Sequence, residues 1–560
     1  MLTRLGPSFA VVGILLAGAA CSDSASSSAT PPPCKPSSGQ AVSLAVGQYA
    51  ALAPLGDLGC FLLPPDTSAV DSAEYLAAPQ LATEIEGATA SYYLTGGQQV
   101  AAVANTMSPP QLSPAERFHL FLRRAEEARW YGTPTPAGGT PPEAREASPA
   151  GPPVVGDTRV FSVCANLSCS SFTKVTATAK TVSTHLAIFV DNAAPAAGLD
   201  SADLDTLSTI FDARLYPLDT TSFGRESDID NNGVVFVLMT PVVNKLVSKK
   251  DCKTSGYIAG FFFGADLDPA YASDSRFNHG EVFYSIVADP DSTVSCAHGA
   301  SEVKHQVPIT FVHEFQHMVS FNQHVLVRGS QAEVLWLNEG LSHFAEELGG
   351  RSYLATGDDS TFSRYLIFDL YNAYQYLDST EYHFLLAGSG IGTLAERGAA
   401  WLFVRFIDDQ FRTDTSFTAT AAFTRKLLET NLVGGANVAA AGGMPFSTIV
   451  EHWALANYVS DLPGFTAPPE LQYTSWHLRT TYASLNVQMP GSFPKPYPLT
   501  PVAGPGTEIS RSGTLKAGSG VYALALQGPG EQGFSLFLSG PSGAAISASL
   551  TPRLNLIRIR

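Results

Sequence analysis

Positive charge is scarce in this 560-residue chain: Lys and Arg total 33 against 50 Asp and Glu, a formal charge of −17. A phosphate-backbone partner needs a basic surface, so nucleic acid is excluded as a ligand. Charged residues of either sign make up only 15%, whereas the 45% hydrophobic content is ample for globular cores. Beyond the opening stretch no run of eighteen apolar residues occurs, which leaves no candidate membrane-spanning helix. Cysteine is sparse, seven in all, and none stands in a C-x-x-C pair, which argues against a thiolate zinc site. Gly (48) and Pro (38) are plentiful and predict loop-rich β structure around a core enzyme. The length predicts three or four domains.

The first residues read as an export signal. Arg4 supplies a short positive region, Phe9 to Ala20 an apolar one, and Cys21 follows Gly18-Ala19-Ala20. Cleavage before a Cys predicts a bacterial lipoprotein lipidated at Cys21, although Gly18 stands where a Leu is usual. An ordinary secretory peptide is the alternative. Either way the mature chain is expected outside the cytoplasm, at the cell envelope or secreted, touching membrane only through the anchor. Removing Cys21 leaves six cysteines, an even number that predicts disulfides in an oxidising compartment. Sequence order favours Cys34–Cys60, Cys164–Cys169 and Cys252–Cys296 among fifteen connectivities.

The chemistry concentrates in residues 308–348. His313-Glu314-Phe315-Gln316-His317 is an H-E-x-x-H; on a helix the two imidazoles share one face and can hold one zinc ion, with Glu314 in reach of its water. Pro308 suits a first helical turn. Such a site needs a third protein ligand, and Trp336-Leu337-Asn338-Glu339-Gly340-Leu341-Ser342 offers Glu339 from a second helix packed antiparallel. The pair of motifs resembles the gluzincin metallopeptidases, most of all the hyicolysin-like secreted bacterial peptidases. The resemblance implies His313, His317 and Glu339 as zinc ligands, Glu314 as general base, and a thermolysin-like zincin catalytic domain. It also implies a Tyr or His that stabilises the oxyanion, with Tyr382, His383 and the tyrosines at 365–376 as open candidates. His343 stands where the thermolysin-like enzymes carry an acidic residue, which leaves the partners of the two ligand histidines unassigned. Glu346 and Glu347 read as a solvated face.

An α+β architecture is therefore expected, with small β-sandwich-like domains flanking the catalytic one. A leader spans 1–20 and a Ser/Pro-rich tether 21–39. An N-terminal β domain covers 40–105, and a capped helix with a Pro-rich linker covers 106–155. The peptidase domain runs over 156–465, and a Pro-rich linker with a C-terminal β domain over 466–560. Ser113-Pro114-Ala115-Glu116 is a capping box that opens the helix after residue 113; His119 within it reads as a packing histidine. The Pro/Gly/Ala-rich stretch 132–153 is a plausible processing point.

Two further features carry expectations. Asp228, Asp230 and Asn232, in D-x-D-x-N-G, form the first half of an EF-hand-type calcium loop, but Met239 stands where the loop needs a bidentate Glu. A polar turn ahead of a strand is the alternative. The strand around Glu281 and Phe283 is expected, by the same resemblance, to be the sheet edge that aligns an extended peptide. The cofactor expected is Zn2+, with Ca2+ as a second ion, and the partner a peptide or protein substrate cleaved internally. Two rival functions are a zinc aminopeptidase, with Glu281 the one acidic candidate for the amine, and a surface-binding lipoprotein with a structural metal. An intact Glu314 argues against the last, since a structural site has no use for a base.

Overall fold

The computed structural model describes residues 39–54, 59–97, 112–132, 151–388 and 392–560. The expected leader, Cys21, the tether to residue 38, Cys34 of the expected Cys34–Cys60 bridge and most of the Pro-rich stretch after the capped helix lie outside the described residues. Among the described residues no helix is long and apolar enough to cross a membrane.

Both ends of the chain build one sandwich. One five-stranded sheet runs in the order Gln40–Ala41, Cys60–Leu62, Ser535–Ser539, Thr89–Gly96, Ser510–Lys516. The other runs Val502–Pro505, Ala523–Gln527, Ala73–Leu81, Pro552–Arg558, Tyr49–Leu52. The two separate flanking β domains expected from sequence are thus interleaved. The reason is edge pairing: Ala73–Leu81 and Thr89–Gly96 would each present free edges, and C-terminal strands pair with them on both sides. Phe61, Tyr75, Leu94, Leu515, Leu536 and Leu556 fill the shared core. Nor is 466–500 a free linker. It folds as Leu478–Gln488 and flanking turns, buries Trp476, Tyr482 and Phe493, and donates the Tyr482 hydroxyl to the Leu370 carbonyl at 3.1 Å.

The central unit is a six-stranded mixed sheet ordered Gly260–Phe262, Val282–Ser285, Val235–Met239, Leu186–Asp191, Phe172–Val182, Thr158–Cys164. Its middle pairs are parallel and its flanks antiparallel. Val235–Met239 is buried at all five positions, as a strand covered on both faces must be. Val282–Ser285 lies between two strands, so it is interior and the free edge belongs to Gly260–Phe262. That edge strand is three residues long, too short for periodicity to reveal. Disulfides Cys164–Cys169 and Cys252–Cys296 brace this unit.

Two helices carry the motifs. The first, Ala300–Phe321, begins well before Pro308, so the proline is interior, not in the first turn. The second, Leu335–Leu354, passes through Gly349-Gly350 where a stop was expected. A Cβ on Gly350 would lie 2.5 Å from Leu366 Cδ2, and one on Gly349 3.0 Å from Tyr365 Cε1. These glycines admit the neighbouring helix Asp359–Asp378 at close range instead of ending their own.

Candidate metal centre

His313 and His317 face the same way from adjacent turns of Ala300–Phe321, and Glu339 meets them from Leu335–Leu354. His313 Nε2 is 3.2 Å from His317 Nε2 and 3.6 Å from Glu339 Oε2; His317 Nε2 is 4.0 Å from Glu339 Oε1. Donors around a tetrahedral zinc at ordinary bond lengths stand about 3.4 Å apart, so the trio fits with small rotamer adjustments. Glu339 is 2% exposed, yet neither carboxylate oxygen has a hydrogen-bond partner among the described residues. A buried carboxylate left so bare suits a cation. Burial would raise its pKa, but Arg397, at 3.6 Å, and the two histidines hold it well below the usual carboxylate range.

The far nitrogens of both imidazoles are engaged. Asn338 Oδ1 lies 2.8 Å from His317 Nδ1, and Ser342 Oγ 3.0 Å from it. Glu346 Oε1 lies 2.7 Å from His313 Nδ1. Such contacts fix the tautomer, with the metal-facing Nε2 free. Glu346 and Glu347 are therefore not a solvated face. Glu347 is fully buried and accepts from Trp401 and Trp476 Nε1 and from Arg405, a structural role. Glu346 holds His343 Nδ1 at 3.0 Å, and Asp369 holds it at 2.8 Å. Burial alone would lower His343, but the two carboxylates override it and raise it to about 10, while burial and the Glu346 charge push Asp369 up to about 7. The acidic group that sequence did not find at position 343 is supplied one turn later by Glu346. Replacing Glu346 with Ala is expected to weaken metal affinity or activity about 10–100-fold, measurable by zinc-buffer titration.

Glu314 points at the edge strand and is 1% exposed. Its Oε2 accepts from Phe262 N–H at 3.0 Å. Burial raises its pKa, opposed by the His313 and Arg123 charges. Three groups that sequence reasoning did not assign stand beside Glu314 and Glu339. His119 Nδ1 lies 3.9 Å from Glu314 Oε1, Arg123 Nη2 lies 4.0 Å from Oε2, and Arg397 sits against Glu339. His119 is thus no ordinary packing histidine: its Nδ1 is buried without a hydrogen-bond partner among the described residues. No local signal could have found these three, which come from helices remote in sequence.

Several of the remaining expected site residues have partners outside the trio. Tyr382 and His383 lie toward the sandwich, next to Glu381, which pairs with Arg511. Tyr374 and Tyr376 bond Lys495 and Ser519. Phe283 is buried under the metal helix, its ring 4.5 Å from that of Phe311, and does not line a cleft. Glu281 turns away from the metal centre. Its Oε1 accepts from Ser227 and from Ile229 N–H, and with Asp228 and Asp230 it forms a second cluster whose carboxylates converge. Asn232 lies beside it: its amide nitrogen donates to Asp230 and its amide oxygen accepts from Val234 N–H.

No protein-family model matches the chain. Over 140 residues, 25% of its length, it is 32% identical to the neutral metalloprotease ShpI of Staphylococcus hyicus. The chain spans 29% of that relative's length. The likeness supports a relationship to a metallopeptidase over that stretch.

Proposed function

We propose that this partial relationship and the His313/His317/Glu339 trio together mark a zinc endopeptidase of gluzincin type, nearest to the hyicolysin-like enzymes. The thermolysin-like arrangement of the central unit and an extracytoplasmic location, anchored at Cys21, belong to the same reading. The observation that carries it is the buried Glu339 carboxylate with no hydrogen-bond partner among the described residues, facing two imidazoles whose other nitrogens are engaged. Bound there, zinc supplies Lewis-acid activation of water and of the scissile carbonyl. Glu314 accepts the proton of the attacking water and delivers it to the leaving amine. Phe262 N–H holds the Glu314 carboxylate in place, and Glu346 and Asn338 engage the Nδ1 of each histidine, so that both rings present Nε2 to the metal position. An endopeptidase cleaves blocked and free peptides alike. Mass-spectrometric profiling of a peptide library, with and without chelator, tests this: cleavage confined to free N-termini would indicate the aminopeptidase, and no cleavage the surface-binding protein.

The second cluster belongs to the cofactor reading as a calcium site. Glu281, from the neighbouring strand, takes the role of the carboxylate missing at Met239, and its Oε2 is buried without a partner among the described residues. Burial pushes this carboxyl up to about 7, and a bound cation would favour its charged form. Arg159, 3.6 Å from Asp230, offsets part of the charge, so the affinity expected is about millimolar. Calcium at several times that concentration should add about 1 kcal/mol of thermal stability. Glu281→Gln should remove the gain; an unchanged melting curve in the parent would dismiss the site.

A further inference from the structure

The covering helix Pro114–Ala128 sits on the free edge of the central sheet. Its Arg123 Nη2 donates to the Phe262 carbonyl at 3.1 Å, and its Glu126 Oε1 accepts from Gly264 N–H at 3.0 Å. Phe262 pairs with Phe283 across the ladder, so its carbonyl on the other side is a group the edge would offer to an added strand. Phe118 packs edge-on against Phe261, and Arg129 makes a two-pronged contact with Asp268. Two turns of this helix therefore set Arg123 and Glu126 on the sheet edge, with His119 and Arg123 beside Glu314.

The metal centre is closed as a result. His313, Glu314, His317 and Glu339 are at most 6% exposed. The cavity beside Glu339, lined by Leu120 of the covering helix, Trp336 and Arg397, measures about 20 Å3. That is room for a single water and none for a peptide.

Resting on the peptidase reading above, we propose that the helix Pro114–Ala128 is an internal latch. It occupies the groove an extended substrate would fill, and the chain is inactive until the helix is displaced. The charged pair Arg123–Glu126, 3.2 Å apart, takes the hydrogen bonds of the sheet edge in place of a peptide backbone. A cut in the Pro-rich stretch after the helix would free its C-terminal end. The strand Thr89–Gly96, held between Ser535–Ser539 and Ser510–Lys516, would keep the severed piece attached. The helix would then swing aside without leaving the molecule.

The test uses the zinc-loaded full chain in three forms: wild type, Arg123→Ala/Glu126→Ala, and a chain cut at a site-specific protease sequence placed between 133 and 150. Two rates are read, removal of zinc by excess chelator and hydrolysis of a blocked fluorogenic peptide. The latch predicts that both rise by about tenfold or more in the altered forms, the inverse of the fraction of chains already open. Faster zinc removal with no hydrolysis in any form would leave the latch standing and defeat the peptidase reading. Unchanged zinc removal, or hydrolysis that falls, would overturn the latch and make the helix a permanent wall of the working site. Should the double substitution fail to fold, the cut wild-type chain carries the test alone.

Discussion

Glu314→Gln is expected to lower peptide hydrolysis by roughly a hundred- to ten-thousand-fold while zinc stays bound. The amide keeps the size of the carboxylate and can still meet Phe262 N–H through its oxygen, so the fold has little reason to change. None of the three metal-facing groups is touched. What disappears is the one acceptor that can take a proton from water, and burial has already moved its pKa upward, toward the operating range of a base. The loss should therefore appear in kcat. Assays on the cut chain as well as the intact one keep the covering helix from masking the difference. Hydrolysis within tenfold of wild type would sink the mechanism.

Glu339→Ala should lose metal and activity together. Removing it leaves two imidazoles, too few for a catalytic zinc site with three protein ligands. The drop in affinity should exceed the 10–100-fold typical of losing an orienting contact, and equilibrium dialysis against a zinc buffer measures it. His313 also converges with His343 and Glu346 in a rival set. If Glu339→Ala kept its zinc and Glu346→Ala released it, that rival would be the true site. The half-buried Arg397 loses its Glu339 partner in the substitution, which should also cost stability, so melting curves of both metal-free proteins are needed as a control.

The candidate metal trio was legible because both motifs are local: a four-residue spacing on one helix and three consecutive residues on another. The orienting groups were only half legible. Asn338 lies inside a motif, but Glu346 acquires its role from a helix packing that no spacing announces. His119, Arg123 and Arg397 were illegible for the same reason, since their meaning depends on which helix lands on which sheet edge. In the fold, Val235–Met239 announced itself by an unbroken apolar run. Ala73–Leu81, the middle strand of its sheet, did not, because its alanines and Pro79 carry weak strand preference and tertiary pairing overrides it. The edge was misplaced because two short aromatic runs, around Phe262 and around Phe283, look alike until their pairing is known.

The interleaved sandwich also sets a schedule for the ribosome. Buried Asn555 donates its amide to Gln80 at 2.8 Å, across 475 residues of chain. At roughly 5–20 residues per second, the N-terminal strand waits about half a minute to a minute and a half for its partner to be made. Through that interval Ala73–Leu81 and Thr89–Gly96 carry open edges, the surfaces on which nascent chains aggregate. Pro552–Arg558 lies between Ala73–Leu81 and Tyr49–Leu52, so its removal would leave Tyr49–Leu52 without a sheet partner and Ala73–Leu81 paired on one side only.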